Sequence, residues 1–173
     1  FHKLRAFADF GFPESHAFSF AHLVYASAWL KVRRPEDFYA GLLASQPMGF
    51  WSPQSLVADA RRHGVRVLPA DVNSSLEEAC VRARGQETGQ GADEDGGAGW
   101  GPLRPSPSAP SPLDVRPDLA VRLGLARLKG LGGRSASAIV SERLAHGPYA
   151  DIADLARRVR LSRRRLETLA AAG

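Results

Sequence analysis

Cysteine and methionine are almost missing from this 173-residue chain, which holds one of each, Cys80 and Met48. A lone cysteine excludes an internal disulfide and any cysteine-rich zinc site, and it agrees with a reducing, cytoplasmic setting. With Met48 the only methionine, the chain opens on Phe1 and reads as a piece of a longer polypeptide. Long apolar runs are missing too. No window approaches the roughly 18 uninterrupted apolar residues of a membrane span, and the first residues lack the charged, apolar, small-residue order of a secretory signal. The patterns HxxxH, CxxC, GxxxxGK(S/T) and GxSxG do not occur, so the common metal, phosphate-loop and nucleophile-elbow sites have no foothold. The carboxylates Asp9, Glu14, Glu36, Asp37, Asp59 and Asp71 form no closely spaced pair that suggests a two-metal site, and Glu36-Asp37 reads as helix-start charge. The sequence therefore offers no catalytic residue, no metal ligand and no membrane partner.

What is present is enough apolar residue for a core, 44% of the chain, and a net charge of +5 with a pI near 10.0. The charge is unevenly placed. Residues 119–173 hold 11 Lys+Arg against 4 Asp+Glu, while the preceding 118 residues hold 12 against 14. A local excess of cations favours a polyanion partner, because each one that neutralises a phosphate releases condensed counterions. The same excess is also the commonest kind of solvated surface.

Composition divides the chain into an apolar helical region, 1–75, a Gly/Pro/Ser-rich linker, 76–118, and a basic helical region, 119–173. The fold class is mainly α: a helical segment, a small β-hairpin, then a helix-hairpin-helix. "SHAFSFAHLVYASAWLKVRR", Ser15 to Arg34, is apolar almost all round, which predicts a central helix buried on most of its surface. Pro35 opens a second helix in the first turn, where proline is tolerated. Ser52-Pro53 spells an N-cap and N1 pair, and Gly64 stands where the helix end wants a left-handed residue. Val65 to Leu68 reads as a short strand stopped by Pro69. The runs at Ala79–Arg84 and Leu119–Leu125 are β-compatible and flank a low-complexity stretch, so they predict a hairpin with an overgrown loop. Trp100, inside that stretch, has no assigned role.

Two motifs invite chemistry. In "GFPESHAF", Gly11 to Phe18, either Ser15 merely caps the following helix or the bent backbone aims Ser15 and His16 at something. In "LARLKGLGGRSASAIVSER", Leu125 to Arg143, Gly130-Leu131-Gly132 joins two helical patterns and resembles a helix-hairpin-helix. Glycines at 130 and 132 permit turn conformations that other residues avoid and let a phosphate approach the backbone. The amides of Gly132, Gly133 and Arg134 would then face an anion at a helix N-terminus, flanked by Lys129 and Arg134. Such contacts grip the sugar-phosphate backbone of duplex DNA without choosing a sequence. A plain αα-hairpin turning a corner fits the local pattern equally well. Arg163, Arg164 and Arg165 sit in the first turn after Ser162, where the dipole disfavours cations, and that local cost again suggests an anion.

Taken together, residues 4–75 and 119–173 resemble the fingers region and the following helix-hairpin-helix of bacterial C-family, DnaE-type, DNA polymerases. "QPMGFWSPQSLVADARRHGV" is similar to the error-prone, damage-inducible branch. The resemblance implies a DNA-directed polymerase acting in translesion synthesis, with dNTP substrates and Mg2+ in the full-length enzyme, and a sliding clamp and mutasome proteins as partners. It implies palm carboxylates upstream of Phe1, so that this chain alone is inactive and binds no cofactor. It also implies that Ser15 and His16 lie near the incoming nucleotide or template. Replicative relatives carry Asn-Lys where this chain has Pro13-Glu14, which implies a looser grip on the nascent pair. The alternatives are a non-enzymatic duplex-binding module and an α-helical interaction domain with a solvated basic face.

Overall fold

A computed structural model describes residues 14–85 and 113–171. Three helices come first: α1, Glu14–Arg33; α2, Pro35–Ala44; and α3, Pro53–Arg62. Local punctuation explains their ends. Pro35 and Pro53 occupy first-turn positions, Ser52 Oγ accepts from the Ser55 amide at 3.2 Å, and Gly64 takes φ +82° beyond the C-terminus of α3. The strands are β1, Val67–Leu68; β2, Cys80–Ala83; and β3, Leu119–Arg122. Leu125–Arg127 forms a 3₁₀ turn, and three helices close the chain: α4, Gly133–His146; α5, Ile152–Arg158; and α6, Arg163–Ala171.

The expected hairpin forms, with β2 antiparallel to β3 in the register Cys80 to Arg122 and Ala83 to Leu119. It gains a third member, because β1 lies parallel to β3 on the other side, Val67 opposite Val121, giving the order β1-β3-β2. One core packs α2 and α3 on this sheet through Tyr39, Leu43, Val57, Ala60, Val65 and Val121. A second core lies under the turn and α4–α6, built from Leu125, Leu131, Ile139, Tyr149, Leu155 and Leu169. Each fully buried aliphatic side chain there contributes about 1.5–3 kcal/mol of transfer free energy.

Three expectations are corrected. Helix α1 is not buried: all its residues are exposed except the half-buried Ala17 and Lys31. Its apolar surface meets no second layer within the described residues. It is tied down at its C-terminal end, where Lys31 pairs with Asp59 at 3.1 Å, Arg33 with Asp114 at 2.9 Å, and the Asp114 amide bonds the Val32 carbonyl. Ser15 is not a cap, since the helix already runs at Glu14 and the Ser15 carbonyl accepts from Ser19 Oγ at 2.9 Å. The first arm of the hairpin is a 3₁₀ turn rather than an α-helix, because the amides of Leu125 and Ala126 bond the Leu76 and Glu77 carbonyls, each at 3.0 Å. Gly11 to Pro13 and Trp100 lie outside the described residues, as does the low-complexity stretch from 86 to 112.

The two cores are joined by the segment Pro69 to Glu78. Asn73 Nδ2 donates to the Tyr149 carbonyl at 2.9 Å, and its Oδ1 accepts from the Tyr149 amide at 2.8 Å. Arginines converge on the same segment: Arg122 on the Pro69 carbonyl, Arg143 on that of Val72 and Arg82 on that of Ser74. Buried Ser75 donates to the Leu123 carbonyl at 2.7 Å. Gly124 lets the following chain pass, because a Cβ there would overlap the Glu77–Glu78 backbone. This bracing fixes the hairpin turn relative to the sheet and to α2 and α3.

Candidate nucleic-acid interface

The hairpin turn is built around one buried side chain and two positions of positive φ. Leu131 is 0% exposed and plugs the second core, while Gly130 and Gly132 take φ of +90° and +76°. Residues with a Cβ rarely adopt such angles, so the turn requires glycine at both places. The first helical hydrogen bond of α4 runs from the Ala136 amide to the Gly132 carbonyl at 3.1 Å. The amides of Gly132, Gly133 and Arg134 precede it and carry the positive end of a 14-residue helix. Lys129, Gly130, Gly132, Gly133 and Arg134 are all exposed around the buried Leu131. The structure thus brings the six predicted hairpin residues together in one surface turn.

Hydrogen bonding sorts the basic residues of the C-terminal region into two groups. One group is occupied within the fold. Arg127 pairs with Glu78 at 2.8 Å and bonds the Ala44 carbonyl; Arg143 is buried on Val72. Arg158 bonds Glu142, Asp154 and the carbonyls of Gly147 and Pro148, stacked 4.4 Å from the Tyr149 ring centroid. Burial and the nearby Arg82 charge push the Arg143 guanidinium below its usual pKa, with Asp71 opposing. The other group, Lys129, Arg134, Arg160, Arg164 and Arg165, is exposed and makes no ion pair with any described residue. These cations are free for an outside anion. Arg163, by contrast, pairs with Glu167 at 2.9 Å on α6. Helix α6 stands beside the turn, since a Cβ at Gly130 would come 3.8 Å from Thr168 Oγ1.

One carboxylate works against an anion at this turn. Glu77 Oε1 lies 3.6 Å from where a Cβ of Gly133 would sit, beside the free amides of α4. It complements the helix dipole when the turn is empty and repels a phosphate that approaches.

Ser15 and His16 are placed elsewhere. They sit in the first turn of α1, exposed, with the His16 ring edge-on to Phe20 at 4.6 Å. No hydrogen bond or ring contact among the described residues links them to the hairpin.

Sequence reasoning missed a second polar cluster, on α2 and α3. Asp59 accepts from Tyr39 Oη at 2.7 Å, Lys31 Nζ at 3.1 Å and Arg62 at 2.8 Å, and the His63 ring bonds the Asp59 carbonyl. Partial burial pushes the Asp59 carboxyl up, but the bonds from Tyr39 and Lys31 outweigh it and hold its pKa at about 2. Burial and the adjacent carboxylate push the Tyr39 phenol well above its ordinary value. Glu36, expected only as helix-start charge, is 0% exposed and accepts from the Arg116 amide at 2.7 Å. Both sets of contacts hold elements together: Asp59 ties α3 to α1 and α2, and Glu36 ties α2 to the Arg116 segment. Among the described residues no three His, Cys, Asp or Glu side chains converge as a metal site would require, and no helix is long and apolar enough to cross a membrane.

Comparison with known proteins adds identity to this geometry. The family described as "Helix-hairpin-helix motif" matches residues 64–173. The chain belongs to the helix-hairpin-helix family. Its matched part begins well before the turn and takes in β1 and the braced segment from Pro69 to Glu78, so the family unit includes the struts that position the hairpin. Over the whole chain it is 47% identical to an error-prone DNA polymerase of Nocardia farcinica and 46% identical to one of Mycobacterium tuberculosis. A third, from Bordetella parapertussis, is 49% identical over 99% of the chain. The chain spans 12–14% of the length of these relatives.

Proposed function

We propose that this chain supplies a fingers-type segment and a sequence-independent duplex grip to an error-prone DNA-directed DNA polymerase acting in translesion synthesis and damage-induced mutagenesis. The observation that carries the reading is identity of 44–49% across the chain to proteins named error-prone DNA polymerase, joined to a surface turn with free amides and free cations. In this reading Lys129, Gly130, Gly132, Gly133 and Arg134 hold phosphates, and Leu131 anchors the turn from below. Amides at a helix N-terminus suit an anion, and a grip on phosphate carries no sequence preference. Ser15 and His16, exposed at the start of α1, face the nucleotide or template side.

The same reading brings dNTP substrates, a cytoplasmic setting, and sliding-clamp and mutasome partners. The polymerase would use Mg2+ to stabilise charge on the transferring phosphoryl group. Two of the carboxylates weighed above are committed within the fold, Glu36 to Arg116 and Asp59 to Tyr39 and Lys31, and neither is free for a metal. This chain's contribution is positional, and the metal-binding carboxylates belong to other segments of such an enzyme. The uncovered apolar surface of α1 is read as a face that those segments cover.

Primer extension by the full-length polypeptide tests the proposal. Lys129→Gln with Arg134→Gln should shorten the product made per binding event severalfold, while insertion of a single nucleotide at saturating DNA stays within about twofold. Unchanged product length would count against the hairpin as the duplex grip.

A further inference from the structure

The turn between α2 and α3 holds two adjacent aromatic side chains that the duplex grip does not use. Phe50 is 101% exposed and Trp51 63% exposed. Bare rings at a loop tip cost hydration free energy, yet this loop is braced rather than loose. Buried Gln46 donates through Nε2 to the Trp51 carbonyl at 3.2 Å and accepts at Oε1 from the Met48 amide at 3.1 Å. Ser52 then caps α3 immediately beyond. The backbone that carries the rings is therefore braced, and both rings stand in solvent.

The two ends of this loop adjoin the hairpin. Pro47 and Pro53, at the two ends of the loop, form one wall of an open groove of about 520 Å³; the opposite wall runs from Ala126 to Gly132, with Arg165 of α6 beside it. No carboxylate lines the groove, and its Lys129 and Arg165 make no ion pair with a described residue. A groove meant for a protein segment would be depleted of charge at its centre. Unpaired cations, glycines that admit a close backbone, and exposed aromatic rings on the loop whose ends line the groove form the combination that tracks a nucleic-acid strand.

We propose that the Phe50–Trp51 tip is a second DNA contact, laying its rings on unpaired bases of a strand whose phosphates pass through the groove toward the hairpin. The proposal rests on the reading of the hairpin as a phosphate grip. It assigns the two elements different physics. The hairpin binds charge and its effect fades with salt, whereas stacking on the rings is insensitive to salt and needs an unstacked base.

The test is DNA binding by the full chain, followed by fluorescence anisotropy over a salt series, on a blunt duplex and on the same duplex with a single-stranded overhang. Phe50→Ala with Trp51→Ala should weaken binding to the overhang DNA by about tenfold at every salt concentration, leaving the slope of log affinity against log salt unchanged. Phe50→Tyr with Trp51→Phe, which keeps both rings, should bind like the parent. Lys129→Gln should instead reduce the slope by about 0.9. If the double alanine variant binds overhang DNA within twofold of the parent while Lys129→Gln still changes the slope, the aromatic tip is not a DNA contact and the hairpin reading survives. A loss shared by the ring-keeping variant also overturns the proposal. If Lys129→Gln leaves the slope unchanged, the hairpin reading fails first and takes this inference with it.

Discussion

Helix α1 and helix α4 place their apolar residues in opposite ways. Helix α1 carries Phe18, Leu23, Tyr25 and Trp29 into solvent, whereas α4, with few large apolar residues, buries Ala136 and Ile139 at 0% exposure. Even Arg143 of α4 is buried, with its Nη1 donating to the Val72 carbonyl at 2.6 Å. The difference teaches that apolar content reports how much a helix gains from a partner, while burial reports whether that partner is near. Helix α4 finds its partner in the turn and in α5 and α6. The apolar surface of α1 is unmatched among the described residues, in a chain that spans 12–14% of the length of its relatives.

Core truncation should sharpen this contrast most. Ile139→Ala is expected to cost about 2–5 kcal/mol in urea unfolding of this chain, and Leu23→Ala less than about 0.5 kcal/mol. In the full-length polypeptide the cost of Leu23→Ala should rise into the range of Ile139→Ala. Equal costs in this chain would show that α1 is already covered and would erase the comparison. Next in size is Asn73→Ala, which removes both hydrogen bonds to Tyr149 and should cost about 1–3 kcal/mol. Loss of the hairpin's bracing without loss of α2 and α3, read by hydrogen exchange, would show the two cores separating.

Acid titration probes Asp59 of the first core, together with Asp154 of α5, whose carboxyl the Ala150 amide also holds below its usual range. The Asp59 pKa of about 2 lies below its ordinary 3.8, so its contribution is full above pH 4 and is lost as pH falls toward 2. Tyr39, shifted upward, holds its contribution below pH 10 and loses it in stronger alkali. Asp59→Asn should flatten the acid limb, and an unaltered acid limb would remove Asp59 from the account. The smallest expected effect is a gain: Glu77→Gln should tighten duplex binding about two- to threefold by removing a like charge beside the α4 amides. Weaker binding by that variant would place the phosphate elsewhere.

Much of the fold was legible wherever the signal is local. Ser52-Pro53, Pro35 and Gly64 mark helix ends through backbone chemistry that needs no distant partner, and the structure repeats them. Gly130 and Gly132 were legible for the same reason. The pairing of Cys80–Ala83 with Leu119–Arg122 followed from two β-compatible runs on either side of a low-complexity stretch. What depends on remote contacts was not legible. Val67–Leu68 joins the sheet in parallel, and nothing in two residues names their partner. The first hairpin arm is 3₁₀ because its amides are taken by Leu76 and Glu77, some 50 residues earlier. A count of cations along the chain does not separate Arg127 and Arg158, spent on the fold, from Lys129 and Arg134, which make no ion pair with a described residue.

The central claim is that the hairpin turn, and not the basic surface at large, holds the DNA backbone. Its most direct test is an amide NMR titration of the chain with a short duplex of arbitrary sequence. The account predicts that the largest shifts fall on Gly132, Gly133 and Arg134, and that a second duplex of unrelated sequence repeats them. Shifts confined to Arg160 and the exposed face of α6, with those three amides unmoved, would contradict it.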